Sequence, residues 1–469
     1  MGRKKKTISI ITKKECQIMP QPWKRRVRQM SSAQIIVTFY IVAVTLGFLL
    51  LSIPEALKPG VKLAFIDRLF ISVSAVSVTG LTPVSTPDTF STTGYFLLAF
   101  IFQIGGIGVM TLSTFIWMIL GKKIGLKERQ LIMTDHNQSR LSGLVDLMRN
   151  ILFIIFAIEL VGAIILGLHF LRYYSSWTDA FLHGFFASVS ATTNAGFDIT
   201  GSSFIPYAHD YFVQVVTVIL ITLGAIGFPV LIEIKHYFLT FKDKRKFQFS
   251  LFTKLTTIMF FLLLAGGTIL ILVLEHSGFL ADKSWDESFF YAFFQSAATR
   301  SGGVATMNIN EFSLPTLIMM SAMMFIGASP SSVGGGIRTT TFALNILFLF
   351  YYVRGNKTIK IFRREIHEDD IIKSVAVSML AVIICSISLL ILSITEHFSL
   401  IELIFEVCSA FGTTGLSMGI TGGLSDIGKC VIMILMFIGR IGMFSFILML
   451  RRPTSGPDYH YPKERIIIG

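Results

Sequence analysis

Four short segments of this 469-residue chain share one pattern: small, uncharged residues that end in glycine and an apolar residue. They read Ser74-Ala-Val-Ser-Val-Thr-Gly80-Leu81, Ser190-Ala-Thr-Thr-Asn-Ala-Gly196-Phe197, Ala297-Ala-Thr-Arg-Ser-Gly-Gly303-Val304 and Ser409-Ala-Phe-Gly-Thr-Thr-Gly415-Leu416. The third is looser, and Gly302 competes with Gly303 for its centre. The centres recur at intervals of 107–116 residues. Glycine permits backbone angles that turn a carbonyl oxygen inward, and a ring of carbonyls can replace the hydration shell of a monovalent cation. The candidate cation ligands are therefore the main chains of Val78, Thr79 and Gly80; Asn194, Ala195 and Gly196; Ser301, Gly302 and Gly303; and Thr413, Thr414 and Gly415. No Asp or Glu falls within the four centres, so the acidic ring expected of a divalent-cation pore is absent. Thr79, Asn194 and Thr414 could add side-chain oxygens or satisfy local backbone. Arg300 reads as a brace behind the filter rather than a pore-facing charge.

Such a ring needs a membrane around it, and the composition supplies one. The chain is 53% hydrophobic and only 15% charged, with a mean hydropathy of +0.69. These values exclude disordered, fibrous and disulfide-rich secreted classes and point to an all-α polytopic membrane protein. Apolar runs at Ala33–Ile53, Tyr95–Leu120, Ile151–Leu171, Tyr211–Ile232, Leu255–Leu274, Ser374–Thr395 and Cys430–Leu450 can each span a bilayer as a helix. Leu314–Val353 is too long for one simple span. Eight segments put both ends on one side. The net charge of +13 is concentrated at 1–30, 121–149, 235–254, 354–373 and 451–469, which hold 10, 6, 6, 6 and 4 Lys+Arg. The positive-inside rule places these stretches and both termini in the cytoplasm, and no nucleic-acid role is needed. The start does not read as a secretory signal, and the four cysteines form no C-x-x-C pair.

Each glycine centre follows a spanning helix and a short apolar stretch, such as Ala180–Thr193 or Ser288–Thr299, which suits a re-entrant half-helix. Ser176-Trp177-Thr178-Asp179 and Ser284-Trp285-Asp286-Glu287 read as caps of two of these half-helices. Each half-helix would aim its negative end at the glycine. A second helix follows, with a glycine motif 24–28 residues on, at Gly105, Gly224, Gly327 and Gly439. The unit is helix, pore helix, filter, helix, used four times around one central pore. Its divisions are a basic tail at 1–32, repeats at 33–120, 150–234, 255–353 and 374–450, cytoplasmic loops at 121–149, 235–254 and 354–373, and a tail at 451–469.

The third repeat carries a break: Gly327, Ala328, Ser329, Pro330, Ser331 and Ser332, then Val333, then Gly334, Gly335 and Gly336. Pro330 interrupts a helix and the glycines loosen it. The expectation is a mobile loop under the filter, against a static kink. Arg440 is costly in lipid and should face a cavity or partner, where it could form a barrier to cations. Arg338 could play either part. Glu159 reads as an interhelical hydrogen-bonding group and His183 as a packed histidine.

The fourfold pattern, with Val78-Thr79-Gly80-Leu81, Asn194-Ala195-Gly196-Phe197 and Phe411-Gly412-Thr413-Thr414-Gly415, resembles the Trk/Ktr/HKT potassium-transporter superfamily. Gly121-Lys-Lys-Ile-Gly-Leu-Lys-Glu-Arg129 and Met436-Phe-Ile-Gly-Arg440-Ile-Gly442 are similar to the KtrB-type membrane subunits of bacterial Ktr systems. The resemblance implies potassium uptake across the bacterial plasma membrane, a potassium-selective glycine filter, a gating function for the loop at 327–336 and a homodimer with one pore per subunit. It also implies a cytoplasmic nucleotide-binding RCK ring of KtrA type, with ATP or ADP bound there and sodium as a candidate activator. The third segment departs from the usual Arg-Thr-Ala-Gly-Phe. No G-x-x-x-x-G-K-[ST] occurs, which agrees with nucleotide lying on a partner. The competing reading is a sodium-coupled or sodium-selective carrier. An enzyme would need clustered acids, histidines or a nucleophile–base pair, and the nine histidines are scattered.

Overall fold

The computed structural model describes residues 32–108, 144–239, 247–356 and 358–443, with 446, 447, 462 and 464. The basic tail at 1–30, residues 109–120, most of the loop at 121–149, part of that at 235–254 and most of 451–469 lie outside the described residues.

The described chain is almost wholly helical. Along it, a long helix, a short helix, a glycine segment and a further helix follow one another four times. The first set is α1 (Ser32–Leu50), α2 (Phe65–Ser77) and α3 (Thr92–Ile107). The second is α4 (Leu144–Phe170), α5 (Trp177–Thr192), α6 (Tyr211–Ala225) and α7 (Phe228–Leu239). The third is α8 (Leu251–Leu274), α9 (Trp285–Ala298), α10 (Leu314–Phe325) and α11 (Thr339–Val353). The fourth is α12 (Glu368–Thr395), α13 (Leu400–Gly412) and α14 (Asp426–Ile441). Among the described residues, α4, α8 and α12 are each long and apolar enough to cross a membrane alone. At 1.5 Å per residue the 13–16-residue helices α2, α5, α9 and α13 are too short to cross. Each begins on an exposed large apolar residue, Phe65, Trp177, Trp285 or Leu400, the kind of residue that anchors a helix end at a bilayer interface.

One expected span is broken. The run Tyr211–Ile232 is not a single helix: α6 stops at Ala225 and α7 leaves at an angle of 103°. Pro229 is the cause, since it has no N–H to give to the carbonyl four residues back, Ala225. That carbonyl instead accepts from Ser329 N at 3.1 Å, and Phe228 N donates to Ser331 O at 2.8 Å. A second difference concerns capping. Ser284 and Glu287 form a full capping box on α9, but Ser176 makes no cap on α5 and its hydroxyl pairs with Thr178 at 2.6 Å. Among the described residues, the other capping box is Ser399 with Glu402 on α13.

The outer end of each set is tied in the same place. The residue after α8, Glu275, accepts from Ser313 N (2.9 Å) and Ser313 Oγ (2.6 Å) at the start of α10. After α12, Glu396 accepts from Ser425 N (3.0 Å) and Ser425 Oγ (2.5 Å) at the start of α14. His169 of α4 meets Asp210, the N-cap of α6, at 2.5 Å. Ser91, the N-cap of α3, donates to the carbonyls of Glu55 and Ala56. Burial opposes ionisation of Glu275 and Glu396, yet their hydrogen bonds outweigh it and hold both carboxyls below the usual range.

Packing closes the arrangement. Helix α3 packs on α5, α6 on α9, α10 on α13, and α14 returns to α2. The largest buried apolar cluster, which includes Phe70, Val76, Phe102, Phe411 and Met436, joins the first and last sets. Residues 358–373, beyond α11, add a two-stranded hairpin, Lys360–Ile361 with Arg364–Glu365, turning on Phe362 and Arg363 at positive φ.

Candidate cation site

The four short helices end at the glycine segments, and those segments meet. Two residues before each glycine the chain takes a left-handed turn, at Val78 (φ 58°), Asn194 (54°), Ser301 (69°) and Thr413 (47°). The glycines are again at positive φ: 94°, 69°, 66° and 94° for Gly80, Gly196, Gly303 and Gly415. A Cβ added to Gly80 would lie 2.6 Å from Ala195 O, and one on Gly196 would lie 2.9 Å from Gly303 Cα. One on Gly303 would strike Thr414 O, and one on Gly415 would strike Thr79 O and lie 3.1 Å from Gly80 Cα. The four glycines thus form a closed ring in chain order, with no room for a side chain at any of them.

The side chains around the ring turn away from it. Thr79 Oγ1 pairs with Ser77 Oγ at 2.7 Å. The Asn194 amide faces Ala191 O and Ile221 O, so with its nitrogen turned to that side it donates to both, at 2.8 and 3.2 Å. Each segment is held mainly by its own main chain, and Ser301 Oγ reaches across to Gly412 O (3.1 Å) and Thr413 O (2.8 Å) of the fourth. In the first, second and fourth, the residue before the glycine donates its N–H to the carbonyl of the opening serine: Thr79 to Ser74 (2.9 Å), Ala195 to Ser190 (2.7 Å) and Thr414 to Ser409 (2.9 Å). The Ser74 and Ser409 hydroxyls also accept from Gly80 N (3.2 Å) and Gly415 N (3.1 Å). The third segment has Ala297 in that place, and its Gly302 N bonds Ala298 O at 2.8 Å instead. Arg300 is fully buried and donates to Ile326 O (2.7 Å) and Met323 O, the open carbonyls at the end of α10.

The downstream glycine motifs have a steric reason. Gly105, Gly224 and Gly439 lie against the carbonyls of Val76, Thr192 and Phe411, each four residues before a ring glycine. Gly327, their counterpart, lies against Gly335 O instead. Residues 327–336 cross beneath the ring: a Cβ on Gly334 would lie 2.6 Å from Ser301 Oγ, and one on Gly335 2.6 Å from Thr413 Oγ1. The loop is pinned on three sides. Ser329 N and Val333 N bond Ala225 O (3.1 Å) and Gly224 O (3.3 Å) of α6, and Gly336 N bonds Gly439 O (3.3 Å) of α14. Arg440 donates to Val333 O of the loop and to Gly105 O and Gly106 O (3.1 Å) of α3. Arg338 donates to Gly334 O and Ser329 O (3.4 Å). A cavity of about 80 Å³ beneath is lined by Gly105, Gly106, Ser331, Ser332, Arg338 and Arg440. On the other side, all four ring glycines open to a vestibule of about 480 Å³.

Residues 3–455 match the family model TrkH, described as cation transport protein. This chain belongs to that family. It is 59% identical over 443 residues to the Ktr system potassium uptake protein D of Bacillus subtilis (strain 168), covering 94% of this chain and 98% of that one. It is 35% identical to the Ktr system potassium uptake protein B of the same organism, covering 93% and 96%. Among solved structures, the crystal structure of the potassium transporter TrkH from Vibrio parahaemolyticus matches with a TM-score of 0.70 at 19% identity, over 90% of this chain and 86% of that one. These relatives are transporters and not enzymes, and the Trk/Ktr membership agrees with the resemblance read from the motifs. The apolar helices and the family together make this a multi-pass membrane protein.

Two further residues of this TrkH-family chain stand where their types suggest. Glu159 of α4 accepts from Gln103 Nε2 of α3. His183 stacks on Tyr174, with its Nδ1 3.1 Å from the Tyr174 hydroxyl. Phe228 and Pro229, which supply part of the loop's partner surface, lie inside an apolar run that hydropathy alone reads as one helix, although Pro229 marks the break.

Proposed function

We propose that this chain forms the pore of a potassium uptake system. Four repeats, at 33–120, 150–234, 255–353 and 374–450, surround one pathway, and potassium crosses through the carbonyls of residues 78–80, 194–196, 301–303 and 413–415. The closed ring of four glycines supports this reading above all, because it brings main-chain oxygens together where no side chain fits. The carbonyl ends of four helices face that ring, which favours a cation. Residues 327–336 form the gate with Arg440, since the loop lies directly under Ser301 and Thr413 and is held by hydrogen bonds rather than by a packed helix.

In the same reading the chain works as a homodimer in the bacterial plasma membrane, with both termini and the basic loops cytoplasmic. A KtrA-like RCK ring carrying ATP or ADP controls the gate from those loops. That the named relatives are Ktr system proteins supports a separate regulatory subunit. Sodium enters as an activator.

The test is cation flux into proteoliposomes holding the purified chain, with potassium or sodium as the sole permeant ion. Potassium flux is expected without sodium, and it rises when sodium is added as the activator. Equal flux of both ions would refute the filter assignment, and potassium flux that requires sodium in fixed ratio would establish the coupled carrier instead.

A further inference from the structure

The vestibule above the ring is lined mainly by glycine, small polar and apolar residues, and Asp198 is its one charged lining residue among those described. Asp198 follows Gly196 by two positions, so the chain itself holds its Cα within about 7 Å of a ring glycine. Its two oxygens are used differently. Oδ2 accepts from Thr200 Oγ1 (2.7 Å), Gly201 N (2.8 Å) and Ser203 N (3.0 Å). Oδ1 has no protein partner among the described residues and is not among the buried orphaned atoms, so water reaches it. The loop that carries the carboxylate is fixed to the next segment, through Ala305 N to Ser203 Oγ (2.8 Å) and Phe204 N to Ala305 O (2.9 Å). The charge therefore sits in one place at the mouth and is not a freely swinging surface group.

We propose that Asp198 is an outer capture site for monovalent cations: it concentrates them in the vestibule before they shed water at the ring. The proposal rests on the potassium-pore reading and assigns a step ahead of selection. A fixed charge in a concave, low-dielectric mouth focuses its field. At about 7 Å and an effective dielectric between that of protein and water, one carboxylate raises the local cation concentration about threefold to tenfold. Charge alone does not separate potassium from sodium, so Asp198 governs the concentration at which flux saturates and leaves the ion preference alone. Without the carboxylate's charge, entry from dilute solution slows while flux at saturating potassium stays unchanged.

The experiment is potassium flux into proteoliposomes at low and high ionic strength, using an impermeant salt, for the wild-type chain, Asp198→Asn, and Asp198→Asn with Ser202→Asp. Asparagine keeps an acceptor for the three loop hydrogen bonds and removes only the charge. Ser202 is an exposed vestibule residue whose hydroxyl makes no described hydrogen bond, so aspartate there restores charge without the loop bonds. The expected result is a KM about threefold to tenfold higher in Asp198→Asn at low ionic strength. The rise should vanish in high salt, where the Debye length falls to a few ångströms, and shrink in the double variant. An unchanged KM overturns the proposal. So does a KM raised equally at both ionic strengths without rescue, which would make Asp198 a loop brace only. Absence of potassium flux in the wild-type chain would strike the pore reading itself, a result separate from either.

Discussion

If residues 327–336 gate the pore as proposed, Arg440 can hold them in two ways, and substitution separates them. As a tether, its guanidinium joins Val333 O of the loop to Gly105 O and Gly106 O of α3 in one planar fork. As a charge, it stands beside the cavity under the ring and repels cations. A hydrogen bond from a charged donor is worth about 1.5–3 kcal/mol net. Losing the bond to Val333 then shifts the loop's open-to-closed ratio about tenfold to a hundredfold. Lysine keeps the charge but cannot reach both elements at once, whereas glutamine keeps donors and loses the charge. If the tether dominates, Arg440→Lys and Arg440→Gln both raise potassium flux in proteoliposomes, by up to the full shift if the closed state prevails at rest. If the charge dominates, only Arg440→Gln does so. Flux unchanged in both, from protein with wild-type thermal stability, would refute a gating role for the arginine and leave the loop as a fixed part of the pathway.

Other substitutions probe the ring, the loop and the outer ties. Gly80→Ser puts a Cβ 2.6 Å from Ala195 O at a φ of 94°, with strain of about 1–3 kcal/mol; paired potassium and sodium flux should show weaker discrimination, and intact selectivity would remove Gly80 from the proposed filter. Gly335→Ala drives a methyl to 2.6 Å from Thr413 Oγ1 and 2.8 Å from Gly439 O, so the loop must drop and resting flux should rise several-fold. Glu396 has a carboxyl held below its ordinary range, so it stabilises the fold when ionised. That contribution is complete above the unfolded value of about 4.3 and is lost as pH falls through it toward the lower folded value. Glu396→Gln should cost about 1–3 kcal/mol at neutral pH and flatten the acid limb of the melting temperature between pH 7 and pH 3.

What was legible in the sequence was whatever steric necessity had written into residue type. Gly80, Gly196, Gly303 and Gly415 could be found because each lies against the next segment's backbone at a positive φ. Gly105, Gly224 and Gly439 could be found because each touches a short-helix carbonyl. Hydropathy failed at Tyr211–Ile232 because it reads straight through Pro229, whose effect is geometric and not apolar. The outer ties failed for another reason: Glu275 and Glu396 hold serines 38 and 29 residues away, and no local pattern marks such a pair.

The looseness of the third glycine segment has its explanation in the same place as the loop. Its helix α10 stops at Phe325 with open carbonyls, and Arg300 is there to take two of them. The downstream glycine, Gly327, is drawn to Gly335 and not to the short helix as its three counterparts are. Ser301 lies 2.8 Å from Thr413 O, so the segment braces its neighbour from the side where the loop approaches. A set of elements that must give up helix to make room beneath the ring cannot keep the contacts of the other three. Ala297 in place of serine, Arg300, and the broken helix are therefore parts of one structural solution.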